Sequence, residues 1–75
     1  MLEDSFIDLK TVPCPMNFVR AKLLIDTLKK GQVLKIQLDL GEKLESVLTS
    51  MQEEGHKILT CEKFPDFAEI YVEKN

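Results

Sequence analysis

The sequence has few of the residues from which metal sites, disulfide frameworks and nucleotide sites are built. It contains two cysteines, at positions 14 and 61, and one histidine, a pattern that fits no zinc-ligand spacing. Its three glycines form no phosphate-binding loop. No apolar run approaches the ~20 residues of a membrane span. We therefore expect no metal, no cofactor and no membrane contact. The sequence gives little support for an enzyme with its own substrate pocket.

The charge balance argues against nucleic-acid binding. Ten basic and thirteen acidic residues give a net charge of −3 and a pI near 5.0, whereas proteins that bind RNA or DNA directly normally carry a basic surface. The acidic N-terminus does not resemble a secretory signal, so we expect a cytoplasmic protein. A chain of 75 residues predicts one domain, residues 1–75, that buries roughly 60% of its unfolded surface.

Residues 12–17 (VPCPMN) place a cysteine between two prolines at a predicted helix start. Pro13 keeps the chain extended before the helix, and Pro15 suits the first helical position, with Cys14 as the N-cap. Amides of Met16 and Asn17 would then face the sulfur and favour its thiolate form, with a lowered pKa. The position predicts a nucleophilic or sulfur-carrying cysteine. The alternative is a small buried hydrophobic residue.

This stretch, preceded by Leu9 and Lys10 and followed by an amphipathic segment ending at Gly31, resembles the Cys-Pro-x-Pro region of the TusA/SirA-like sulfur carriers. The resemblance extends over nearly the whole chain. It implies a βαβαββ fold in which Cys14 accepts a persulfide sulfur from a cysteine desulfurase or rhodanese-type donor. An acceptor protein would then receive that sulfur.

Three residues depart from the family pattern. Asn17 replaces the second motif proline, Thr11 stands where glycine is common, and Lys10 takes the place of an arginine. We expect Asn17 at the third helical position, where the N–H has no intrahelical partner and a proline would lose no bond. Lys10 either supports a Cys14 thiolate or is a solvated strand charge.

Hydrophobic periodicity predicts an α+β two-layer sandwich, with two helices on one face of a four-stranded mixed sheet. The expected strands are 6–10, 33–40, 56–63 and 67–73, with helices 15–30 and 41–54. The core face of the first helix comprises Phe18, Ala21, Ile25 and Leu28. Cys61 shares a predicted face with Leu59 and is either a buried packing residue or a resolving thiol for Cys14. His56 is expected to be structural.

The first helix also carries apolar residues away from its predicted core face. Met16, Val19 and Leu23, interleaved with Arg20, form a stripe that begins beside Cys14; we call the three apolar residues the α1 stripe. It is either a docking surface for a partner or a set of exposed apolar residues without a role. We expect a monomer, with a homodimer through this stripe as the alternative.

Three functions are compatible with these features. The first is a persulfide relay on Cys14 between a sulfurtransferase donor and an acceptor protein, serving tRNA thiolation, cofactor biosynthesis or sulfur metabolism. The second is a non-catalytic interaction or regulatory module that keeps the fold and binds through the α1 stripe. The third, direct RNA binding, is disfavoured by the acidic balance.

Overall fold

A computed structural model describes residues 3–13 and 15–75. In these residues the chain forms four strands and two helices in the order βαβαββ: β1 Ser5–Asp8, α1 Met16–Ile25, β2 Val33–Leu38, α2 Glu42–Glu53, β3 Lys57–Lys63 and β4 Ala68–Glu73. The predicted α+β architecture, two helices with a four-stranded mixed sheet, is confirmed. Neither helix is long and apolar enough to cross a membrane.

The strands are arranged in the order β1-β2-β4-β3. β1 and β2 are parallel, as the sequence predicts for strands joined by a helix, whereas β4 is antiparallel to both of its neighbours. The carboxyl ends of β1, β2 and β3 and the start of β4 therefore lie at one end of the sheet. The loop that contains position 14 leaves from this end.

The core forms where the helices cover the sheet. Alternate residues of the two central strands are fully buried: Leu34, Ile36 and Leu38 in β2, and Ala68, Ile70 and Val72 in β4. Ala21 and Ile25 of α1 are buried against them, with Phe18 and Leu28 partly buried at the edge of the core, so the predicted core face of α1 is correct. Burial of each large apolar side chain contributes roughly 1.5–3 kcal/mol.

Helix α1 ends five residues earlier than predicted. The last helical residue is Ile25 rather than Lys30, and the chain then tightens, since the Thr27 and Leu28 amides donate to carbonyls three residues back. The Thr27 hydroxyl also donates to the Leu24 carbonyl, at 2.6 Å. Threonine is a weak helix former because its side chain competes for backbone partners in this way.

Strands β1 and β2 are shorter than predicted. β1 covers Ser5–Asp8 and not 6–10, and β2 ends at Leu38 and not at Leu40. Leu9 remains buried and its amide donates to the Gln37 carbonyl at 2.7 Å. Leu40 is exposed, because the chain turns before it into α2.

The prediction that Cys61 is buried is wrong. β3 is an edge strand whose register against β4 shifts between Ile58 and Thr60, leaving Leu59 in a bulge. A bulge adds one residue and interrupts the two-residue alternation of faces. Past the bulge Cys61 pairs with Ile70 of β4, but β3 lies at the edge of the sheet, and Cys61 is exposed.

Candidate functional site

The candidate site is the loop from β1 to α1. Cys14 itself lies outside the described residues, so its predicted role stays a prediction, but the predicted N-cap position is wrong because Pro15 occupies it. Pro13 and Pro15 on either side of it are exposed. The loop lies at the end of the sheet where β1 and β2 both terminate, a usual place for reactive groups in α/β layers.

The chain reaches Pro13 through a strained turn. The Val12 amide donates to the Leu9 carbonyl at 3.1 Å, and Thr11 adopts a φ of 67°. This left-handed conformation is uncommon for any residue but glycine, and it is least expected of a β-branched side chain. Glycine would adopt this conformation without strain.

A carboxylate that sequence reasoning missed holds this turn. The Thr11 amide donates to Asp39 Oδ2 at 2.9 Å, and Lys43 Nζ lies 3.1 Å from the same oxygen. Hydrogen bonds from Lys43 and from the Thr11 amide lower the pKa of Asp39. In the sequence Asp39 is only one polar residue of an alternating strand, so nothing there indicates the contact.

Helix α1 begins one residue later than predicted. Pro15 is the N-cap and Met16 the first helical residue. The Asn17 amide donates to the Pro13 carbonyl at 3.0 Å, so the prediction that its N–H lacks a backbone partner is wrong. This amide is consequently not free to face the sulfur.

The Asn17 side chain is completely buried. Its Oδ1 accepts a hydrogen bond from the Phe18 amide at 2.7 Å, which satisfies one of the first amides of the helix. Its Nδ2 has no hydrogen-bond partner among the described residues. Asn17 thus shapes the start of α1 from inside the core.

Lys10 lies in this loop, and its side chain faces the last hairpin. Its Nζ is 3.9 Å from Asp8 Oδ2 and 4.7 Å from the centre of the Phe67 ring, and Phe67 stacks on Phe64. Lys10 is half-buried. These contacts account for the side chain without the thiol, and support of a Cys14 thiolate by Lys10 stays a prediction.

The α1 stripe is exposed along the helix. Met16 is 45%, Val19 37% and Leu23 65% exposed, and Arg20 beside them is also exposed. The structure therefore brings these four candidate docking residues together on the solvent side of α1. Their binding role stays a prediction.

His56 and Cys61 lie apart from this loop in the sequence, and the structure gives them different environments. His56 is buried, and its Nδ1 accepts a hydrogen bond from the Asn75 amide at 3.2 Å. Burial lowers the pKa of His56. Within residues 3–13 and 15–75, no group of three or more His, Cys, Asp or Glu side chains is placed to hold a metal ion.

Comparison with known proteins gives a consistent result. The family described as "Sulfurtransferase TusA" matches residues 5–74. A protein of Bacillus subtilis named "Putative sulfur carrier protein YrkI" is 31% identical over 75 residues, covering 99% of each chain. A "Putative sulfur carrier protein" of Archaeoglobus fulgidus is 32% identical over 60 residues, which are 80% of this chain and 68% of that protein.

A solved structure shares the fold. The crystal structure of the SirA-like protein from Desulfitobacterium hafniense superposes with a TM-score of 0.78 at 20% sequence identity, covering 92% of this chain and 95% of that one. At this identity the similarity concerns the fold. It agrees with the two-layer arrangement described above.

Proposed function

Because this chain belongs to the TusA family of sulfurtransferases, we propose that it carries sulfur as a persulfide on Cys14. The observation that supports this most directly is the family match across residues 5–74, which includes the Cys14-Pro15 motif. A free thiol carrier requires a reducing compartment such as the cytoplasm.

The transfer needs no oxidant. The Cys14 thiolate attacks the terminal sulfur of a persulfide on the donor protein, forming a sulfur–sulfur bond on Cys14 while the donor's own sulfur–sulfur bond breaks. The donor cysteine leaves as a thiolate, and the transferred sulfur keeps its proton. Repetition of the step with an acceptor thiolate regenerates Cys14.

The chain itself contributes a conformationally constrained loop around position 14 and a surface that a donor can recognise. The turn at Thr11 and the hydrogen bond from Asn17 to the Pro13 carbonyl constrain both sides of position 14. The α1 stripe starts two residues after Cys14 and offers apolar surface to a donor such as a cysteine desulfurase. No pocket for a small substrate is needed for this chemistry.

The deciding experiment is intact-protein mass spectrometry after incubation with a cysteine desulfurase, cysteine and pyridoxal phosphate. We expect the wild-type chain to gain the mass of one sulfur, and a reductant to reverse this gain. Cys14→Ser should lose the gain, whereas Cys61→Ser should keep it. A wild-type chain that gains no sulfur from several donors, with Cys14 slow to alkylate, would reject the carrier function.

The docking role of the α1 stripe has its own test. Leu23→Gln should slow sulfur loading roughly tenfold by weakening donor binding, while the rate of Cys14 alkylation stays unchanged. Phe6→Thr is the matched control, since Phe6 is also exposed, at 47%, but lies on β1. Equal loading rates in both variants would contradict a docking role for the stripe.

A second candidate function is a non-catalytic interaction module. The exposure of the α1 stripe favours it, because the same surface can bind a partner without any sulfur transfer. An unreactive Cys14 combined with partner binding that Leu23→Gln abolishes would support this alternative.

A further inference from the structure

We infer that Asp39 is a positioning residue for the thiol: it holds the left-handed turn at Thr11 and so sets the direction in which the chain enters Pro13, the residue before Cys14. The inference rests on the proposed function of Cys14. It concerns a contact between two loops that are 28 residues apart in the sequence.

The first support is the strain at Thr11. A β-branched residue reaches a φ of 67° only when its surroundings enforce it. The turn closed by the Val12 amide and the Leu9 carbonyl accommodates a positive φ at its third residue, a position that favours glycine. Threonine lacks this preference, so another contact must stabilise the conformation.

The Asp39 carboxylate supplies that contact. Its Oδ2 accepts the Thr11 amide at 2.9 Å, and a hydrogen bond to an ionised acceptor is stronger than one to a neutral group. Thr11 is exposed, so without Asp39 its amide could bond to water in many backbone conformations. The carboxylate therefore selects one conformation of the loop.

Asp39 is itself fixed in place. It follows Leu38, which is fully buried at the end of β2, and Lys43 in the first turn of α2 contacts the same carboxylate oxygen at 3.1 Å. The loops after β1 and β2 are thereby tied together at one end of the sheet. A nucleophile positioned this way meets its partner in a defined orientation, which is worth large factors in rate.

The test uses a Cys61→Ser background, so that Cys14 is the only thiol. We would measure the rate of Cys14 alkylation over the neutral pH range and the rate of sulfur loading by a desulfurase. Asp39→Ala should lower both rates, the loading rate roughly tenfold. Asp39→Asn keeps an oxygen for the Thr11 amide but not its charge, so its loading rate should lie between those of wild type and Asp39→Ala.

Thr11→Gly tests whether the effect of Asp39 acts through the turn at Thr11. Glycine adopts a positive φ without strain, so Asp39→Ala should cost far less in a Thr11→Gly background. Asp26→Ala is the matched control, because it removes an exposed carboxylate that pairs with Lys22 and Lys74 at the other end of α1. It should leave both rates unchanged.

Three outcomes would overturn the inference: wild-type rates in a folded Asp39→Ala variant, an Asp39→Asn variant as slow as Asp39→Ala, or equal losses from Asp39→Ala with and without Thr11→Gly. If Asp39→Ala does not fold, the inference is tested with Asp39→Asn and with the double variant that combines Thr11→Gly and Asp39→Ala. Alkylation needs no donor protein, so a wild-type chain that accepts no sulfur would reject the proposed function while the alkylation rates still test Asp39.

Discussion

At the scale of single residues, Thr11 has a strained backbone conformation that the surrounding contacts stabilise. Its φ of 67° is disfavoured for threonine, and glycine would remove that strain. We expect Thr11→Gly to raise the free energy of unfolding by about 1 kcal/mol, measured by urea denaturation. Lys10→Gly is the control: Lys10 is not left-handed, so glycine there should only lower stability. A loss in both variants would show that Thr11 is not strained.

Asn17 allows a second test at this scale. Asn17→Pro removes the amide that donates to the Pro13 carbonyl at 3.0 Å. We expect it to lower the free energy of unfolding by at least ~1 kcal/mol. Asn17→Leu is close to isosteric and keeps the amide, so it should be the milder change. Equal stability of the Pro variant and wild type would show that this hydrogen bond contributes nothing.

At the scale of elements, β3 differs most from its sequence pattern. The bulge at Leu59 and the edge position leave the last three residues of the strand exposed. Cys61 and Ile70 are paired across the sheet, yet Ile70 is fully buried in the central strand β4. The two paired residues thus differ in exposure, because β3 lies at the sheet edge and β4 lies in its centre.

This contrast predicts unequal effects of substitution. Cys61→Ser should change the free energy of unfolding by less than ~0.5 kcal/mol, as is usual for surface positions. Ile70→Ala should lower it by roughly 2–5 kcal/mol through lost burial and a cavity. Urea unfolding of the two variants gives the comparison. A large loss for Cys61→Ser would mean that its thiol is packed rather than exposed.

At the scale of the whole molecule, His56 connects the end of α2 to β3 and to Asn75. Burial and, to a smaller extent, Lys74 lower its pKa below the usual 6.5. Just below that pH the unfolded chain binds a proton that the folded protein does not. The stabilisation is therefore complete above about 6.5 and is lost as the pH falls below it.

Urea unfolding on either side of pH 6.5 should show this decline in the wild-type protein. His56→Gln should flatten it, because His56 is the only histidine in the sequence. The pKa of Asp39 is also lowered, but from 3.8, so its contribution is lost only at much lower pH. An unchanged pH dependence in His56→Gln would exclude His56 as the cause.

The sequence alone determined the order of the elements and the central core. Alternation in β2 and β4 and the four-residue spacing of Ala21 and Ile25 are local patterns, and the buried side chains follow them. The prolines around Cys14 likewise indicate a helix start through their own backbone restrictions.

Only the tertiary structure decided the remaining features. The bulge in β3 depends on pairing with β4, the buried state of Asn17 depends on what covers the start of α1, and the Thr11 turn depends on a carboxylate 28 residues away. Periodicity and propensity describe neighbours along the chain, whereas these features depend on contacts made after the chain has folded. A polar residue such as Asp39 therefore gains its role from its partner and not from its own sequence context.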